Sequence, residues 1–177
     1  RENKRGGAWM DDCINQKRLA DGSLQKPVAY LTCNFNKPIG DKPALFTHDE
    51  VTTLFHEFGH ALHGIFANQK YASLSGTNVP RDFVEFPSQF NEHFALEPEI
   101  LKNYAIHYET KQSIPQSLVE KIKKASTFNQ GYATTELVSS AILDMMWHSI
   151  EKTSTIKSVL DFEKQALTKN GFILNAV

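Results

Sequence analysis

The fold is decided by one stretch, Thr47-His-Asp-Glu-Val-Thr-Thr-Leu-Phe-His-Glu-Phe-Gly-His-Ala-Leu-His-Gly-Ile-Phe66. Its beginning is typical of a helix start, because Thr47 can serve as the N-cap and Glu50, three residues later, completes a capping box. Behind this cap, apolar residues recur at steps of three and four along a wide stripe. We therefore predict a helix that is buried on most sides and ends near Ala67 and Asn68.

Inside this helix stands the motif His56-Glu57-Phe58-Gly59-His60. The two histidines are four residues apart, so their side chains leave the same helix face about 6 Å from each other. Two imidazole nitrogens can then converge on one Zn²⁺ at about 2.1 Å each. Glu57 lies one step round the helix, where its carboxylate can reach a water at the ion. This pattern predicts a zinc site with Glu57 as general base.

A catalytic zinc ion usually has three protein ligands and one open water position, so a third ligand must come from another segment. Glu85 is favoured because Phe83, Val84 and Phe86 surround it, and a carboxylate in apolar company needs a cation. Sequence spacing alone leaves open a larger set of donors: Asp82, Glu85, Glu92, His93, Glu97 and Glu99.

The remaining histidines are predicted to be structural. His63 follows His56 on the same face, but a rise of about 4.5 Å per three residues carries it too far along the axis for a shared tetrahedral site. We expect His63 to pack or to support the site. His48, His107 and His148 are isolated in the sequence and are expected to make ordinary local contacts.

Length and composition predict one folded domain. The chain has 177 residues, of which 41% are apolar and 22% charged, which is enough for a packed core. Its 19 basic and 20 acidic residues give a net charge of −1, which argues against a nucleic-acid partner. No apolar run approaches 18 residues, so no membrane span is expected. The polar N-terminal residues and the predicted free thiols of Cys13 and Cys33 favour a cytoplasmic location.

The rest of the sequence predicts a mostly helical fold with a small β element. Region 1–46 is rich in loop-forming residues and contains one predicted strand at 28–35. Residues 71–80 are expected to be extended, with a turn at Gly76, and Asp82 is expected to cap a helix that starts at 83. Further helices are predicted at 98–109, 115–125, 132–152 and 158–171, the last between a Ser158 cap and a Gly171 stop.

Longer stretches resemble a known family, the thimet-oligopeptidase-like zinc metallopeptidases. The resemblance rests on Phe55-His-Glu-Phe-Gly-His-Ala-Leu-His63 and on Ser75-Gly-Thr-Asn-Val-Pro-Arg-Asp-Phe-Val-Glu-Phe-Pro-Ser-Gln89. Two flanking stretches, Lys4-Arg-Gly-Gly-Ala-Trp-Met10 and Phe128-Asn-Gln-Gly-Tyr-Ala-Thr-Thr-Glu136, are most similar to its bacterial peptidyl-dipeptidase (dipeptidyl carboxypeptidase) branch. The resemblance covers essentially the whole chain.

This resemblance implies a zincin-like catalytic core with one zinc ion held by His56, His60 and Glu85. Glu57 would be the base and proton shuttle, and the substrates would be short peptides that lose C-terminal dipeptides. The segment Leu74–Thr77 would be an edge strand that pairs with the peptide backbone. Ser88, Gln89 and Glu92 follow Glu85 at helical spacing and could orient the ligands.

One departure from the family concerns length. Members of the family are several times longer and carry a Gly/Tyr-rich segment, preceded by a His, roughly a hundred residues beyond the glutamate ligand. This sequence starts without Met and ends at Val177, 92 residues after Glu85. We therefore expect a catalytic-core fragment over 1–177: region 1–46 of loops and a strand, 47–97 with the zinc-site helices, and 98–177 as helical support. Such a fragment should bind zinc, hydrolyse peptides poorly, and expose an apolar patch or self-associate.

Two other functions stay open at this stage. The chain could belong to an endo-acting oligopeptidase of the same family, which would differ in how it closes around the C-terminus of the peptide. It could instead be a non-catalytic helical module with a structural zinc site, although such sites usually have four ligands that include Cys. Cys13 and Cys33 follow no C-x-x-C pattern. The sequence leaves the oligomeric state undetermined.

Overall fold

Helices predominate in residues 3–172, the part of the chain that this computed structural model describes. The predicted combination of mostly helix with a small β element is therefore observed. The strands are β1 (Trp9–Ile14), β2 (Lys17–Arg18), β3 (Leu24–Gln25) and β4 (Val28–Thr32). The helices are α1 (His48–Ile65), α2 (Arg81–Val84), α3 (Phe86–Glu92), α4 (Pro98–Tyr104), α5 (Gln116–Ala125), α6 (Gln130–His148) and α7 (Val159–Lys169). Short 3₁₀ turns lie at Ala72–Leu74, His93–Leu96 and Thr153–Thr155.

The chain divides into two compact units, Arg1–Pro115 and Gln116–Val177. The first unit contains the four strands and helices α1 to α4, and the second contains α5 to α7. The single catalytic core that the sequence predicts over 1–177 stays a prediction. Between residues 3 and 172 there is no helix with both the length and the apolarity needed to cross a membrane.

Helix α1 begins as the sequence predicts. The Thr47 hydroxyl accepts a hydrogen bond from the Glu50 backbone N–H at 3.2 Å, and the Glu50 carboxylate accepts one from the Thr47 N–H at 2.8 Å. The other Glu50 oxygen accepts from the Asn36 N–H at 3.0 Å. The hydrogen bonds from the Thr47 and Asn36 backbone N–H groups hold the pKa of the Glu50 carboxylate below its ordinary value. The capping box therefore also fixes the preceding loop to the helix start.

The two-stranded sheet of β1 and β4 packs against α1. Its antiparallel register runs from the Trp9–Thr32 pair to the Ile14–Val28 pair, with an irregularity at Cys13. Strand β1 falls in a region predicted to be loop, so that prediction is wrong there. The strand predicted at 28–35 ends at Thr32, where β1 no longer offers a partner. Beyond it, the Asn34 side chain donates to backbone carbonyls near the chain start.

The segment at residues 71–80 corrects the predicted edge strand. Leu74–Thr77 forms no strand, because a 3₁₀ turn precedes it and a turn follows. The Ser75 N–H donates to Ala72 and the Ser75 carbonyl accepts from Asn78, so both backbone groups of Ser75 are used within turns. The predicted turn at Gly76 is present with φ of +57°, and a Cβ there would lie 3.1 Å from the Gly64 Cα. Glycine is therefore required at position 76 by both conformation and space.

The helix predicted from residue 83 is broken into two pieces. Helix α2 starts after Pro80, and no side chain caps it, so the predicted Asp82 cap is wrong. Helix α3 starts at Phe86 with Pro87 at its second position. Proline has no N–H to donate and restricts the residue before it, so it is tolerated in the first turn of a new helix but not inside a continuous one. Glu85 therefore stands at the junction between the two helices.

Several predicted boundaries in the later helices also shift. The helix predicted at 98–109 ends at Tyr104, because Ala105 and Ile114 then pair in a hairpin-like turn that has Lys111 at φ of +58°. The helix predicted at 132–152 runs from Gln130 to His148. Predicted helix 115–125 is observed as α5. The predicted caps of α7 are confirmed, because Ser158 accepts from the Asp161 N–H and Gly171 has φ of +83°.

Apolar side chains are less buried than the stripe on α1 predicts. Phe58 is 47% exposed and Phe66 76% exposed, so α1 is not buried on most sides within the described residues. Next to α1, four phenylalanines at 83, 86, 90 and 94 form a row of ring contacts with centroids 5.6 to 6.3 Å apart. A hollow of about 370 Å³ lies between this row and the C-terminal half of α1. The expected exposed apolar surface is thus present, and self-association stays a prediction.

The capping box at the start of α1 generates a stability prediction. We expect Thr47→Ala to lower the free energy of unfolding by about 1 kcal/mol, because the Glu50 N–H loses its acceptor. Chemical denaturation followed by circular dichroism measures the change. Thr53→Ala is the matched control, because it makes the same substitution within the helix, where the Thr53 hydroxyl donates to the Asp49 carbonyl, and keeps the cap. Equal losses in the two variants would contradict the role of the cap.

Candidate metal centre

The site is built where α3 packs directly onto α1. A Cβ added at Gly59 of α1 would lie 2.7 Å from the Ser88 Cα, 2.8 Å from the Pro87 carbonyl oxygen and 2.9 Å from the Asn91 Cβ. Only glycine allows this backbone-to-backbone approach. The contact brings residue 85, which immediately precedes α3, over the face of α1 that carries the two motif histidines. An isolated glycine inside a predicted helix is the sequence signal that points to such a contact.

The two motif histidines and Glu85 converge at this contact. The Glu85 Oε2 atom lies 3.2 Å from the His56 Nε2 atom and 3.1 Å from the His60 Nε2 atom. The two imidazole rings are 4.9 Å apart and nearly perpendicular. These ligand-type atoms all lie within 4.8 Å of one another, so His56, His60 and Glu85 are positioned to hold one metal ion.

Burial differs among the three converging side chains. The His60 side chain is 12% exposed and the His56 side chain 25% exposed, whereas the Glu85 side chain is 50% exposed. Burial lowers the pKa of His60, so the neutral imidazole is favoured there. The pKa of Glu85 is held below its usual value, first by the Ser88 hydroxyl and then by the two histidines. Neutral imidazole and ionised carboxylate are the forms that bind metals.

Glu57 has a different environment from Glu85. Glu57 is 6% exposed, and its Oε2 atom is buried without a hydrogen-bond partner among residues 3–172. Burial raises the pKa of Glu57, and the charge of Glu85 raises it further, against an opposing effect of His56. The result is a carboxylate that binds a proton more readily than an exposed glutamate does, next to the converging metal-binding atoms.

Helix α3 also carries three side chains that contact the site from behind. The fully buried Ser88 hydroxyl lies 2.8 Å from Glu85 Oε2 and 2.9 Å from the Glu85 carbonyl. Glu92 Oε1 lies 2.6 Å from His56 Nδ1. The Asn91 amide donates to the Phe55 carbonyl at 2.7 Å, which joins the two helices beside His56. The sequence spacing anticipated Ser88 and Glu92, but nothing in it signalled Asn91.

The other residues that the sequence singled out lie outside this cluster. Gln89, which the spacing grouped with Ser88 and Glu92, is exposed, and its side chain makes no hydrogen bond within the described part of the chain. His63 packs its ring edge against Phe83, as expected of a packing residue. The metal-binding cluster in residues 3–172 includes none of Asp82, His93, Glu97 or Glu99. His107 accepts from the N–H groups of residues 109 and 110, and His148 contacts Asp144.

Neither cysteine takes part in this cluster. Cys13 and Cys33 are both free thiols, as the sequence predicts. Burial raises the pKa of Cys33, and the charge of Glu57 raises it further. The thiol of Cys33 is therefore favoured over the thiolate, which is the form that a metal would need. The converging donors are two imidazoles and one carboxylate only.

Comparison with known proteins identifies a family for this chain. The sequence profile of peptidase family M3 matches residues 1–176. The chain belongs to peptidase family M3. The family-level resemblance seen in the sequence is thereby confirmed, and the terms hydrolase and metalloprotease apply to the family.

Similar curated proteins include dipeptidyl carboxypeptidases and oligopeptidase A. The dipeptidyl carboxypeptidases of Salmonella typhimurium (strain LT2) and Escherichia coli (strain K12) are 51% and 50% identical over all 177 residues, which cover 26% of each relative. The oligopeptidase A of Escherichia coli is 53% identical over 150 residues, which cover 84% of this chain and 22% of that relative. The chain therefore spans about a quarter of the length of the curated relatives that it matches.

The close approach at Gly59 generates a prediction about the site geometry. Gly59→Ala is expected to cost about 1–3 kcal/mol of stability, because the new Cβ meets backbone atoms of α3 that cannot rotate away. Metal affinity should fall with it, since Glu85 moves with α3 while both histidines stay on α1. Denaturation and metal titration measure the two effects.

Gly131→Ala is the matched control for this experiment. Gly131 lies in the first turn of α6, and a Cβ there meets nothing within 4 Å. Higher helix propensity should leave this variant as stable as the parent chain or more stable, with unchanged metal affinity. Equal effects of the two substitutions would show that the α1–α3 contact does not determine the site.

Proposed function

We propose that this chain carries the zinc-binding catalytic site of a peptidase that hydrolyses peptide bonds in short peptides. The observation that supports this proposal is the convergence of His56 Nε2, His60 Nε2 and Glu85 Oε2 beside the buried Glu57. Membership of the M3 family supports the same reaction class. The zincin-like fold and the single catalytic core are part of this proposal.

The donor atoms fit a zinc ion. A neutral imidazole nitrogen that bears no proton and a carboxylate oxygen are both acceptors, so they repel each other unless a cation or a proton lies between them. Ligands about 2.0–2.1 Å from a tetrahedral ion are about 3.3 Å from each other. The observed separations of 3.2 Å and 3.1 Å between Glu85 Oε2 and the two Nε2 atoms are close to that value.

Zinc held by these three residues would polarise the scissile carbonyl and lower the pKa of a water molecule toward 7. Glu57 would accept a proton from the attacking water as the water oxygen bonds to the carbonyl carbon. Its raised pKa suits this role, because a carboxylate with a higher pKa is a stronger base. Glu57 would then give the proton to the leaving amine nitrogen as the carbon–nitrogen bond breaks.

Two cleavage modes compete within this proposal. Release of C-terminal dipeptides is favoured by the similarity to two dipeptidyl carboxypeptidases over the whole chain. Endo-acting cleavage is favoured by the similar identity to oligopeptidase A over 150 residues. A closed structural zinc site is not favoured, because the cluster has three ligands and lacks Cys13 and Cys33. The cytoplasmic location of the chain also stays a prediction.

Elemental analysis tests the metal assignment. The chain purified without chelator should carry about one zinc ion, and the double variant His56→Ala/His60→Ala should carry almost none. Chelator should lower the unfolding temperature of the parent chain, since a ligand that binds only the folded state stabilises it. His148→Ala, an exposed histidine of α6, is the control and should keep its zinc. Zinc retained by the double variant would place the metal elsewhere.

The variant Glu57→Gln tests the proposed base. This variant should keep its zinc and lose the ability to hydrolyse short blocked peptides. Mass spectrometry of the products formed by the parent chain distinguishes dipeptide release from internal cleavage. We expect slow turnover in the parent chain, which spans about a quarter of the length of the curated relatives that it matches. Absence of cleavage by the zinc-loaded parent chain would contradict catalysis by this chain alone. Equal turnover in the variant would exclude Glu57 as the base.

The substitution Glu57→Gln should also change the stability of the metal-free chain. Because the pKa of Glu57 is raised in the folded state, its ionised form opposes folding above that pKa. Glu57→Gln should therefore raise the free energy of unfolding at neutral pH. The gain should disappear as the pH falls below the unfolded value of about 4.3, where both forms are neutral. A gain that persists at low pH would contradict the burial of a charge at this position.

A further inference from the structure

Glu92 contacts His56 on the side of the imidazole that faces away from Glu85. Glu92 Oε1 lies 2.6 Å from His56 Nδ1, while His56 Nε2 lies 3.2 Å from Glu85 Oε2. Both carboxylates can accept a hydrogen bond from a ring N–H, and the contact of Nδ1 with Glu92 is 0.6 Å shorter than that of Nε2 with Glu85, which favours the ring proton on Nδ1. A neutral imidazole carries one ring proton. With that proton on Nδ1, the Nε2 atom is left unprotonated.

We infer that Glu92 is a positioning residue, which holds His56 in the tautomer with a protonated Nδ1 and an unprotonated Nε2. The unprotonated Nε2 then faces Glu85 and His60, in the form that a metal ligand requires. The inference deepens the proposed function and rests on it for the role of zinc. The tautomer itself is a property of the metal-free chain and can be measured there.

The two histidines of the site differ in the hydrogen bonding of their Nδ1 atoms. His60 Nδ1 is buried and has no hydrogen-bond partner among the described residues, whereas His56 Nδ1 is bonded to Glu92. The orientation of His60 therefore depends on packing and on the contact of its Nε2 atom with Glu85. Removing the Glu92 carboxylate should change the tautomer of His56 and leave that of His60 as it is. His60 thus provides a reference inside the same molecule.

Helical geometry explains why Glu92 is in this place. Residues 85, 88 and 92 are separated by three and four positions, so their side chains lie on one face of a helix. From that face, Ser88 contacts Glu85 and Glu92 contacts His56. The bond from Asn91 to the Phe55 carbonyl fixes the end of α3 next to His56. The position of Glu92 is therefore set by the backbone, independently of its own contact with the imidazole.

Nitrogen NMR of the metal-free chain tests the tautomer. Long-range ¹H–¹⁵N spectra are recorded above pH 8, where histidines are neutral. The parent chain should show His56 protonated at Nδ1. Glu92→Gln is nearly isosteric, but its amide can donate as well as accept, so the Nε2-protonated form should gain population. Glu92→Leu should show the same change. A His56 tautomer identical in the parent chain and both variants would overturn the inference.

Zinc affinity provides the second measurement, by competition with a chelator. Loss of such a supporting hydrogen bond typically weakens metal binding by about 10–100-fold, so we expect about tenfold or more for Glu92→Gln and Glu92→Leu. Glu120→Leu makes the leucine substitution at an exposed glutamate of α5 and should leave the affinity unchanged. Metal-free unfolding temperatures show whether each variant is folded. Unchanged affinity in both Glu92 variants would overturn the positioning role.

The two proposals fail in different ways. If zinc binding survives His56→Ala/His60→Ala, the proposed metal site is wrong, yet the tautomer of His56 in the metal-free chain still tests Glu92. If that double change abolishes zinc binding while both Glu92 variants behave as the parent chain does, the metal site stands and the positioning role is wrong.

Discussion

The approach of helices α1 and α3 at Gly59 is the constraint on which the rest of the site depends. Both histidines and Glu57 are on α1, whereas Glu85 immediately precedes α3. The separation of the two helices therefore sets the distances from Glu85 to the three groups on α1. Because a Cβ at Gly59 would lie within 3 Å of backbone atoms of α3, the helices meet through their main chains. Main-chain contact gives a fixed separation, since no side-chain rotation can absorb a change.

Two carboxylates at this site have opposite environments. Glu85 is half exposed, accepts a hydrogen bond from the Ser88 hydroxyl and faces two imidazoles. Its ionised form is therefore favoured. Glu57 is buried with an unpartnered oxygen, so its proton affinity is increased. Groups whose pKa values are displaced in opposite directions can take different roles at one pH. This difference is consistent with one carboxylate as metal ligand and the other as base.

Local patterns predicted α1 well and the surrounding structure less well. The Thr47 capping box and the spacing of His56 and His60 are properties of consecutive residues, so the sequence shows them directly. Strand β1 depends on a partner strand that is distant in the sequence, which no local pattern shows. For Glu85, the argument from apolar neighbours does not hold, because Phe83 and Phe86 are themselves exposed. The proposal that Glu85 is a metal ligand rests instead on the family resemblance and on the geometry of the site.

The short segment from Glu85 to Glu92 has a consequence for how this sequence can vary. It holds one converging carboxylate together with Ser88 and Glu92, which contact the site from the same face of two helical turns. A helix rotates by about 100° per residue, so one inserted or deleted residue here would turn Glu92 away from His56 while leaving every amino-acid type in place. Substitutions at exposed Gln89 leave that register intact. The segment is therefore constrained in length more strictly than in composition, unlike the loop at residues 105–115.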